Sequence, residues 1–350
     1  MKLDDFLREL RQRNGSDLHL LDGLPPKVRI HGALEIIGDD WPDVAGLVTP
    51  IVDEIHKKTF DEFGEVDLAY EVAEVGRFRV NIFRHHGGLG AVFRIIPQTM
   101  PTLEELCIPS EVERFASVRA GLVLVTGPTG SGKSSTLAAL LDMVNQDRAE
   151  HIITVEDPIE FVHSDKKSSF TQREVGADTE SFADALRSAA RQDPGLILVG
   201  EMRDKETISL ALTLAEMGML VFSTLHTNSA GRTIDRIVKV FPEDQQGHVR
   251  TMLAMSLQGV LSQILCRRAD GEGRIPATEL LFTSNALQSV IREGASHKIE
   301  SMLQAGRGQG MHRMDDSLYR MVEEGLINRE EGFRKAEDKG RFERFADEGL

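Results

Sequence analysis

The sequence lacks the features that define several common classes of protein. It has only two cysteines, Cys107 and Cys266, which lie far apart and form no CxxC pair. Disulfide bonds are therefore not expected, and neither is a structural zinc site built on thiolates. No apolar run approaches the roughly 20 residues that cross a bilayer, and the opening MKLDDFLREL has no apolar signal core. These absences predict a cytoplasmic protein, and any link to a membrane would go through a partner or a peripheral contact.

Positive charge is also in short supply. The 350 residues include 41 Lys and Arg against 56 Asp and Glu, which gives a formal net charge of −15. Phosphate backbones repel so acidic a chain unless its basic residues cluster, which disfavours nucleic acid as a partner. With 41% hydrophobic and 28% charged residues, the composition indicates a folded protein. Because a single core stops growing beyond about 250–300 residues, the length indicates two domains.

The first predicted domain covers residues 1–97 and mixes helices with short strands. Its opening helix places three apolar side chains on one face, those of Phe6, Leu7 and Leu10. Short strands are expected at 16–20 and 27–31. This mixture indicates an α+β domain.

A β-hairpin is predicted in the second half of this domain. The stretch RFRVNI at 77–82 alternates apolar and polar residues with the period of two that a half-buried strand requires. Gly87-Gly88 would turn this strand into a second one at 91–96. A linker at 98–118, which follows Pro97, would then lead to the second domain.

The second predicted domain covers residues 119–350 and has a different pattern. Apolar runs that suit buried strands alternate with helices, so the fold class is α/β with a mainly parallel sheet covered on both faces. From about residue 245 the chain is predicted to be mostly helical. Strands are expected at 122–126, 152–155, 196–199 and 220–224, and helices from 133, near 181–192, at 205–217 and from 230.

A phosphate-binding loop follows the first of these strands. GPTGSGKS matches G-x-x-x-x-G-K-[ST] in full, and it has the required strand before it and helix after it. Glycines let backbone N–H groups converge on phosphate oxygens, the lysine reaches the outer phosphates, and the serine hydroxyl ligates magnesium. The pattern predicts binding of ATP with Mg²⁺. The predicted nucleotide-binding residues are Gly127, Pro128, Thr129, Gly130, Ser131, Gly132, Lys133, Ser134 and Ser135.

Two glutamates are expected beside this loop. Glu156 and Glu201 follow strand-like runs, whose carboxyl ends form the ligand-binding edge of an open α/β sheet. A carboxylate there can orient a water for in-line attack on the γ-phosphate. Many phosphate-handling ATPases end the strand on an aspartate that steadies magnesium, whereas Gly200 stands at that position here. The alternative is that the two glutamates are helix-capping or solvated acids.

One histidine and a group of arginines are further candidates. His226 ends a fourth strand at the same edge, where it could contact the γ-phosphate or bridge it to a neighbouring subunit. A lone histidine is also often a purely structural residue. Arginines stabilise the charge that develops in phosphoryl transfer. The alternative is that these arginines keep a polar sheet face soluble. The hairpin arginines are Arg77, Arg79, Arg84 and Arg94.

Together these motifs resemble the secretion-ATPase superfamily, and most closely the type IV pilus retraction ATPases of the PilT and PilU kind. The likeness covers nearly the whole chain, from Phe6 to about Phe333. The motifs that carry it are SDLHL (16–20), PPKVRIHG (25–32), RFRVNIF (77–83), VFRIIP (92–97), GPTGSGKSSTL (127–137), ITVEDPIEF (153–161), LILVGEMRD (196–204), STLHTNSA (223–230) and TIDRIVKVFP (233–242).

The resemblance implies the architecture and the partners. The first domain would be PAS-like and the second a RecA-like ATPase. Six chains would form a ring with ATP between the two domains. Closure or rotation of these domains against an inner-membrane platform protein would drive pilus depolymerisation and twitching motility.

The resemblance also implies roles for individual residues. Glu201 would be the water-orienting base, and Glu156 a second acid at the magnesium and water site. His226 would contact a phosphate or the other domain. The implied metal site consists of Ser134, Glu156 and Glu201, and the arginines that would reach the phosphates as the domains close are Arg79, Arg94 and Arg84.

Several departures from the family pattern leave alternatives open. The four-cysteine zinc motif of extension and type II secretion relatives is absent, which favours the retraction branch. The stretch ALQSV at 286–290 replaces the usual AIRNL, and Gly195 replaces a common aspartate. Met217-Gly218-Met219 replaces Thr-Gly-His, and this change would remove a hydroxyl and an imidazole from near the site. An accessory retraction ATPase that depends on a paralogous partner, or a related secretion or conjugation ATPase, would also fit.

Overall fold

The computed structural model describes residues 2–30, 33–38, 41–96 and 99–343. The chain divides into two compact units, Met1–Thr99 and Met100–Leu350, and each has its own hydrophobic core. Four residues of the predicted strands, linker and motifs lie outside the described residues, as do residues 344–350; the four are His31, Gly32, Pro97 and Gln98.

The first unit is an antiparallel sheet with helices. Its described strands follow one another in the spatial order β3-β2-β1-β6-β5-β4. They are β1 (Asp17–Leu21), β2 (Lys27–Ile30), β3 (Ala33–Ile36), β4 (Glu65–Val72), β5 (Gly76–His85) and β6 (Gly88–Ile96). The helices are α1 (Leu3–Gln12), α2 (Val44–Val48) and α3 (Glu54–Phe63).

The predicted hairpin and opening helix are present in this unit. In the hairpin β5 pairs with β6 antiparallel, and Arg79 lies opposite Arg94. The apolar side chains of β5, such as Phe78 and Val80, are fully buried on the other face, because side chains alternate along a strand. Helix α1 buries its apolar stripe against the same core. Strands β3 and β4 were not predicted from the sequence.

The second unit is built on a larger sheet. Its described strands have the order β13-β12-β7-β11-β10-β8-β9, and only the β12–β13 pair is antiparallel. They are β7 (Gly121–Thr126), β8 (His151–Glu156), β9 (Ser169–Glu174), β10 (Leu196–Val199), β11 (Leu220–Leu225), β12 (Leu257–Arg267) and β13 (Arg274–Phe282). The helices are α4 (Arg114–Ser117), α5 (Lys133–Asp147), α6 (Phe182–Ala189), α7 (Lys205–Glu216), α8 (Ala230–Lys239), α9 (Glu243–Ser256), α10 (Asn285–Glu293), α11 (Ile299–Ala305), α12 (Met314–Glu323), α13 (Arg329–Lys335) and α14 (Gly340–Glu343).

This sheet confirms the predicted α/β fold and its mainly parallel character. Strands β7, β10 and β11 are buried at every residue, as expected for strands covered on both faces. The helical C-terminal part is also confirmed, but the prediction of helix from about residue 245 needs a correction. Residues 257–282 form two long strands of the sheet, so the purely helical part begins at α10.

The segment predicted as a linker packs on the second unit. Leu103, Ile108, Val112 and Phe115 are buried in its core. This segment is therefore part of the second unit's fold from Met100 onward. Of the two cysteines, Cys107 is exposed and Cys266 is buried, and both are free. Within the described ranges, no helix combines the length and the hydrophobicity that a membrane span requires.

Candidate active site

The phosphate loop joins β7 to α5 in the geometry that its glycines require. Gly127 has φ +148°, and a Cβ there would lie 2.1 Å from the carbonyl oxygen of Gln263, so no larger residue fits. Gly132 has φ +88° at the position just before α5. The Lys133 ammonium is buried and donates to the carbonyl oxygens of Gly127 and Pro128, at 3.0 and 3.1 Å. Burial lowers the pKa of Lys133, against the opposing charges of Glu201 and Glu160.

Strand β12 holds this loop from the side opposite the carboxylates. The buried Gln263 donates from Nε2 to the carbonyl oxygen of Ser131 at 2.6 Å and accepts from Thr136 Oγ1 at 3.0 Å. Beside it, the hydroxyls of Thr126 and Ser262 lie 2.8 Å apart. Sequence reasoning missed Gln263, because residue 263 had been predicted as helical. The feature of the sequence that could have indicated Gln263 is a glutamine within a mostly apolar run, which lies more than 120 residues beyond the loop.

Glu156 ends β8 and is held by several donors. Its Oε1 accepts from Thr154 Oγ1 at 2.7 Å and from Gln172 Nε2 at 3.4 Å, and the backbone N–H of Glu160 also donates to the carboxylate. Burial raises the pKa of Glu156 to about 7, although these hydrogen bonds oppose the shift. Glu156 and Ser134 line the same small cavity between α5 and the strand ends.

Glu201 directly follows Gly200 at the end of β10, and both of its oxygens have basic side chains as partners. Oε1 lies 3.0 Å from His226 Nε2, and Oε2 lies 2.7 Å from the Arg203 guanidinium. Burial acts to raise the pKa of Glu201, but the hydrogen bonds and charges of Arg203 and His226 outweigh it and lower the pKa. The structure thus brings two predicted residues, Glu201 and His226, into direct contact. Arg203 was not predicted, although it lies in the motif GEMRD.

Gly200 has a steric explanation. A Cβ at this position would lie 3.1 Å from the carbonyl oxygen of Val155 and 3.3 Å from the Cα of Glu156. Both are backbone atoms of the neighbouring strand β8, and the Gly200 N–H donates to the same Val155 oxygen at 2.8 Å. Strands β8 and β10 are therefore so close at this point that a side chain would fit only if the backbone shifted by a few tenths of an ångström. The glycine permits this close approach, and the acidic groups stand one residue later and on the next strand.

Two of the departures from the family pattern lie away from these groups. Met217 and Met219 precede β11 and so lie at the amino edge of the sheet, opposite His226, which follows the same strand. The expectation that they alter the surroundings of the site is therefore wrong. Gly195 lies at the same amino edge, before β10, where a Cβ would fall 2.0 Å from the Glu150 carboxylate. That carboxylate lies 3.3 Å from the Arg119 guanidinium.

Three of the four hairpin arginines, Arg79, Arg84 and Arg94, are exposed and pair with acids of their own unit. The distances are 3.8 Å from Arg79 Nε to Asp67, 3.7 Å from Arg84 to Asp61, and 2.7 Å from Arg94 Nε to Asp17. The pairs of Arg79 and Arg84 are exposed and contribute at most about 1 kcal/mol, so other partners can compete for these two arginines. The partner of Arg94, Asp17, is buried. The predicted contact of these arginines with phosphates stays a prediction.

The residues present fit a magnesium ion that arrives with a nucleotide. Ser134 and Glu156 offer hard oxygen donors in one cavity, and Mg²⁺ is typically held by one or two protein oxygens together with phosphates and water. In the part of the chain that is described, no group of three or more acidic, histidine or cysteine side chains could hold a metal alone.

The strand order brings these groups together along one edge. Strands β7, β11, β10 and β8 are consecutive neighbours in the sheet. Lys133 follows β7, His226 follows β11, Glu201 follows β10, and Glu156 is the last residue of β8. A complete phosphate loop flanked by two glutamates at this edge defines a P-loop ATPase. The family model described as Type II/IV secretion system protein matches residues 64–339. The chain belongs to this family and is an ATP hydrolase.

Individual relatives agree with this assignment. The chain is 49% identical over 339 residues to the type IV pilus retraction ATPase PilT of Pseudomonas aeruginosa, covering 96% of this chain and 98% of that protein. It is 35% identical over 340 residues to the type IV pilus ATPase PilU of the same organism, covering 96% and 89%. The crystal structure of the pilus retraction motor PilT with bound ADP matches with a TM-score of 0.92 and 43% identity, covering 98% and 99%. The resemblance inferred from the motifs is confirmed.

Proposed function

We propose that this chain is a motor that converts ATP hydrolysis into mechanical work for type IV pilus retraction and twitching motility. The observation that carries the proposal is the row of Lys133, His226, Glu201 and Glu156 along one sheet edge, in a chain so similar to PilT over its whole length. A homo-hexameric ring with ATP bound between its two domains is the assembly that we propose.

Each residue of the site would have its own role in ATP hydrolysis. Lys133 would exchange its two carbonyl partners for the outer phosphates, since an ammonium gains more from an anion than from neutral carbonyls. Magnesium, when bound, neutralises phosphate charge, and Ser134, Glu156 and Glu201 are the residues proposed to serve its site. Glu201, ionised at neutral pH, would accept a hydrogen bond from the attacking water and orient it. His226 would reach the phosphate from the next strand.

The remaining roles concern the first unit and the partners. We propose that the first unit is PAS-like and that Arg79, Arg94 and Arg84 contact phosphates when the ring closes. Arg79 and Arg84 would leave exposed acids, whereas Arg94 would leave the buried Asp17. The division into a first domain at 1–97, a linker at 98–118 and an ATPase domain at 119–350 stays a prediction about function, although residues from Met100 onward pack with the second unit. The proposed location is the cytoplasmic side of the inner membrane, where a platform protein of the pilus would receive the force.

The test combines the enzyme with its host. Glu201→Gln keeps the shape of the side chain but removes its basicity, so ATP turnover should fall at least about 100-fold while ADP still binds. A deletion strain should carry excess surface pili and lose twitching, and the wild-type gene but not the Glu201→Gln gene should restore motility. Loss of pili in the deletion strain would contradict retraction.

A second candidate is an accessory retraction ATPase of the PilU type, which depends on a paralogous ATPase. The observation that favours it is the ALQSV stretch on α10, where Leu287 is buried but Ala286 is exposed and Gln288 and Ser289 are partly exposed. A changed surface there would suit a changed partner. Complementation with and without the paralogue separates the two candidates. A related secretion or conjugation ATPase would instead be identified by its platform partner in a pull-down.

A further inference from the structure

Strand β9 lies at the edge of the large sheet and pairs in parallel with β8, which ends in Glu156. In this register Thr154 lies directly beside Gln172. Side chains two apart on a strand share a face, and neighbours in register share it too. Thr154, Glu156 and Gln172 therefore project from the same side of the sheet. Their placement follows from the strand pairing and not from a flexible loop.

The three side chains are joined by hydrogen bonds. Thr154 is fully buried, and its hydroxyl donates to Glu156 Oε1 at 2.7 Å. Gln172 Nε2 makes a longer contact of 3.4 Å to the same oxygen and donates to the carbonyl oxygen of Phe161 at 2.8 Å. Gln172 Oε1 accepts from the backbone N–H of His163 at 2.7 Å. A single side-chain amide thus connects the carboxylate to the irregular segment that follows β8.

This segment and the carboxylate line one cavity. Phe161 and His163 line it together with Glu156 and Ser134. The Nδ1 atom of His163 is buried and has no hydrogen-bond partner among the described residues. Losing the Gln172 amide would remove one contact of the cavity wall and one contact of the carboxylate at the same time.

We propose that Thr154 and Gln172 are positioning residues for Glu156, which fix its carboxylate toward Ser134 in the cavity that both residues line. The inference rests on the proposed role of Glu156 at the magnesium and water site. Neither residue would touch the nucleotide. Outer partners that orient a metal-site carboxylate typically contribute about 10- to 100-fold in metal affinity or activity.

The first test uses variants that remove the donors with little change in shape. Thr154→Val and Gln172→Leu should each lower kcat about tenfold. They should also reduce, by a similar factor, the extent to which Mg²⁺ strengthens ADP binding, measured as the ratio of the ADP Kd without and with Mg²⁺. Thr154→Ser keeps the hydroxyl and should restore both quantities to within about twofold. Gln146→Leu is the matched control, because Gln146 is exposed on α5 and bonds only to Asp142 among the contacts described.

A double-mutant cycle separates positioning from a general structural effect. Glu156→Gln should itself lower kcat, and in that background Gln172→Leu should change kcat less than twofold, because residues that act through one another are not additive. Melting temperatures of all variants show whether folding is intact. If Glu156→Gln has no effect, the proposed role of Glu156 fails. If Glu156→Gln lowers kcat but folded Thr154→Val and Gln172→Leu have the wild-type kcat, the positioning inference alone is refuted. It is also refuted if the effects of Glu156→Gln and Gln172→Leu on kcat are additive.

Discussion

Gly200 lies between the two carboxylates of the site, and replacing it by alanine tests the steric explanation directly. The added Cβ would lie 3.1 Å from the Val155 carbonyl oxygen and 3.3 Å from the Glu156 Cα, where ordinary contacts begin near 3.4 Å. Both neighbours are backbone atoms, which cannot rotate away as a side chain can. The ends of β8 and β10 must therefore separate by a few tenths of an ångström, which displaces Glu156.

The size of the effect follows from this geometry. Overpacking of a well-packed core costs about 1–3 kcal/mol. For a unit of this size, each kcal/mol lowers the melting temperature by about 2–4 °C. A misplacement of 1 Å can cost about 100-fold in rate, so a shift of a few tenths should lower kcat severalfold to tenfold. An aspartate at position 200, with more atoms in the same space, should be worse than alanine.

The assay compares Gly200→Ala with Gly247→Ala by thermal unfolding and steady-state phosphate release. Gly247 lies inside α9, and a Cβ there meets nothing within 4 Å. Its replacement by alanine should be neutral or should stabilise the protein by up to about 1 kcal/mol through helix propensity. The steric reasoning is refuted if Gly200→Ala has the melting temperature and kcat of the control variant.

Three further predictions concern charge, polarity and pH. Lys133→Met should weaken ADP binding by about 10- to 100-fold, because a charge-assisted hydrogen bond contributes about 1.5–3 kcal/mol; unchanged affinity in calorimetry would contradict the proposed phosphate contact. Gln263→Leu should destabilise the protein by about 1–3 kcal/mol and loosen the loop, because Thr136 and the Ser131 carbonyl lose buried partners; an unchanged melting temperature would contradict this. Burial raises the pKa of Glu279 to about 7, which is above its unfolded value, so this carboxyl disfavours folding increasingly as pH rises from about 4.5 to 7. Relative to Glu279→Gln, the wild type should therefore lose about 2–3 kcal/mol of stability between pH 5 and pH 8, and parallel stability curves would refute the linkage.

Local patterns predicted much of the fold, and the failures have identifiable causes. Continuous apolar runs indicated the buried parallel strands, and alternation indicated the β5–β6 hairpin, because each pattern reflects how many faces a strand buries. Strand β9, SFTQRE, lies at the edge of the sheet and has few apolar residues. The sequence therefore contains no apolar run that would predict this strand. Strands β12 and β13 were missed because short apolar runs with polar interruptions fit a helix and a buried strand equally well.

The candidate site shows the same limit. The loop residues and Lys133 could be recognised because their spacing is dictated by one short turn. Glu201 and His226 could be placed at one edge because parallel strands align their carboxyl ends. Their direct contact, and the anchoring of the loop by Gln263, depend on which strands become neighbours. The order of the strands depends on packing between segments more than 100 residues apart, so no local sequence pattern predicts it.

The positions of the unusual residues bear on whether this ATPase acts alone or with a paralogous ATPase. Met217, Met219 and Gly195 all lie at the amino edge of the sheet, whereas the phosphate chemistry belongs to the carboxyl edge. Substitutions at the amino edge do not lie beside the reacting atoms, so they give no reason to expect weak ATP hydrolysis. The ALQSV stretch is different, because it leaves α10 side chains exposed that are available to a partner. The distinction between an independent and an accessory ATPase therefore depends on this surface, because the same hydrolytic site would serve either.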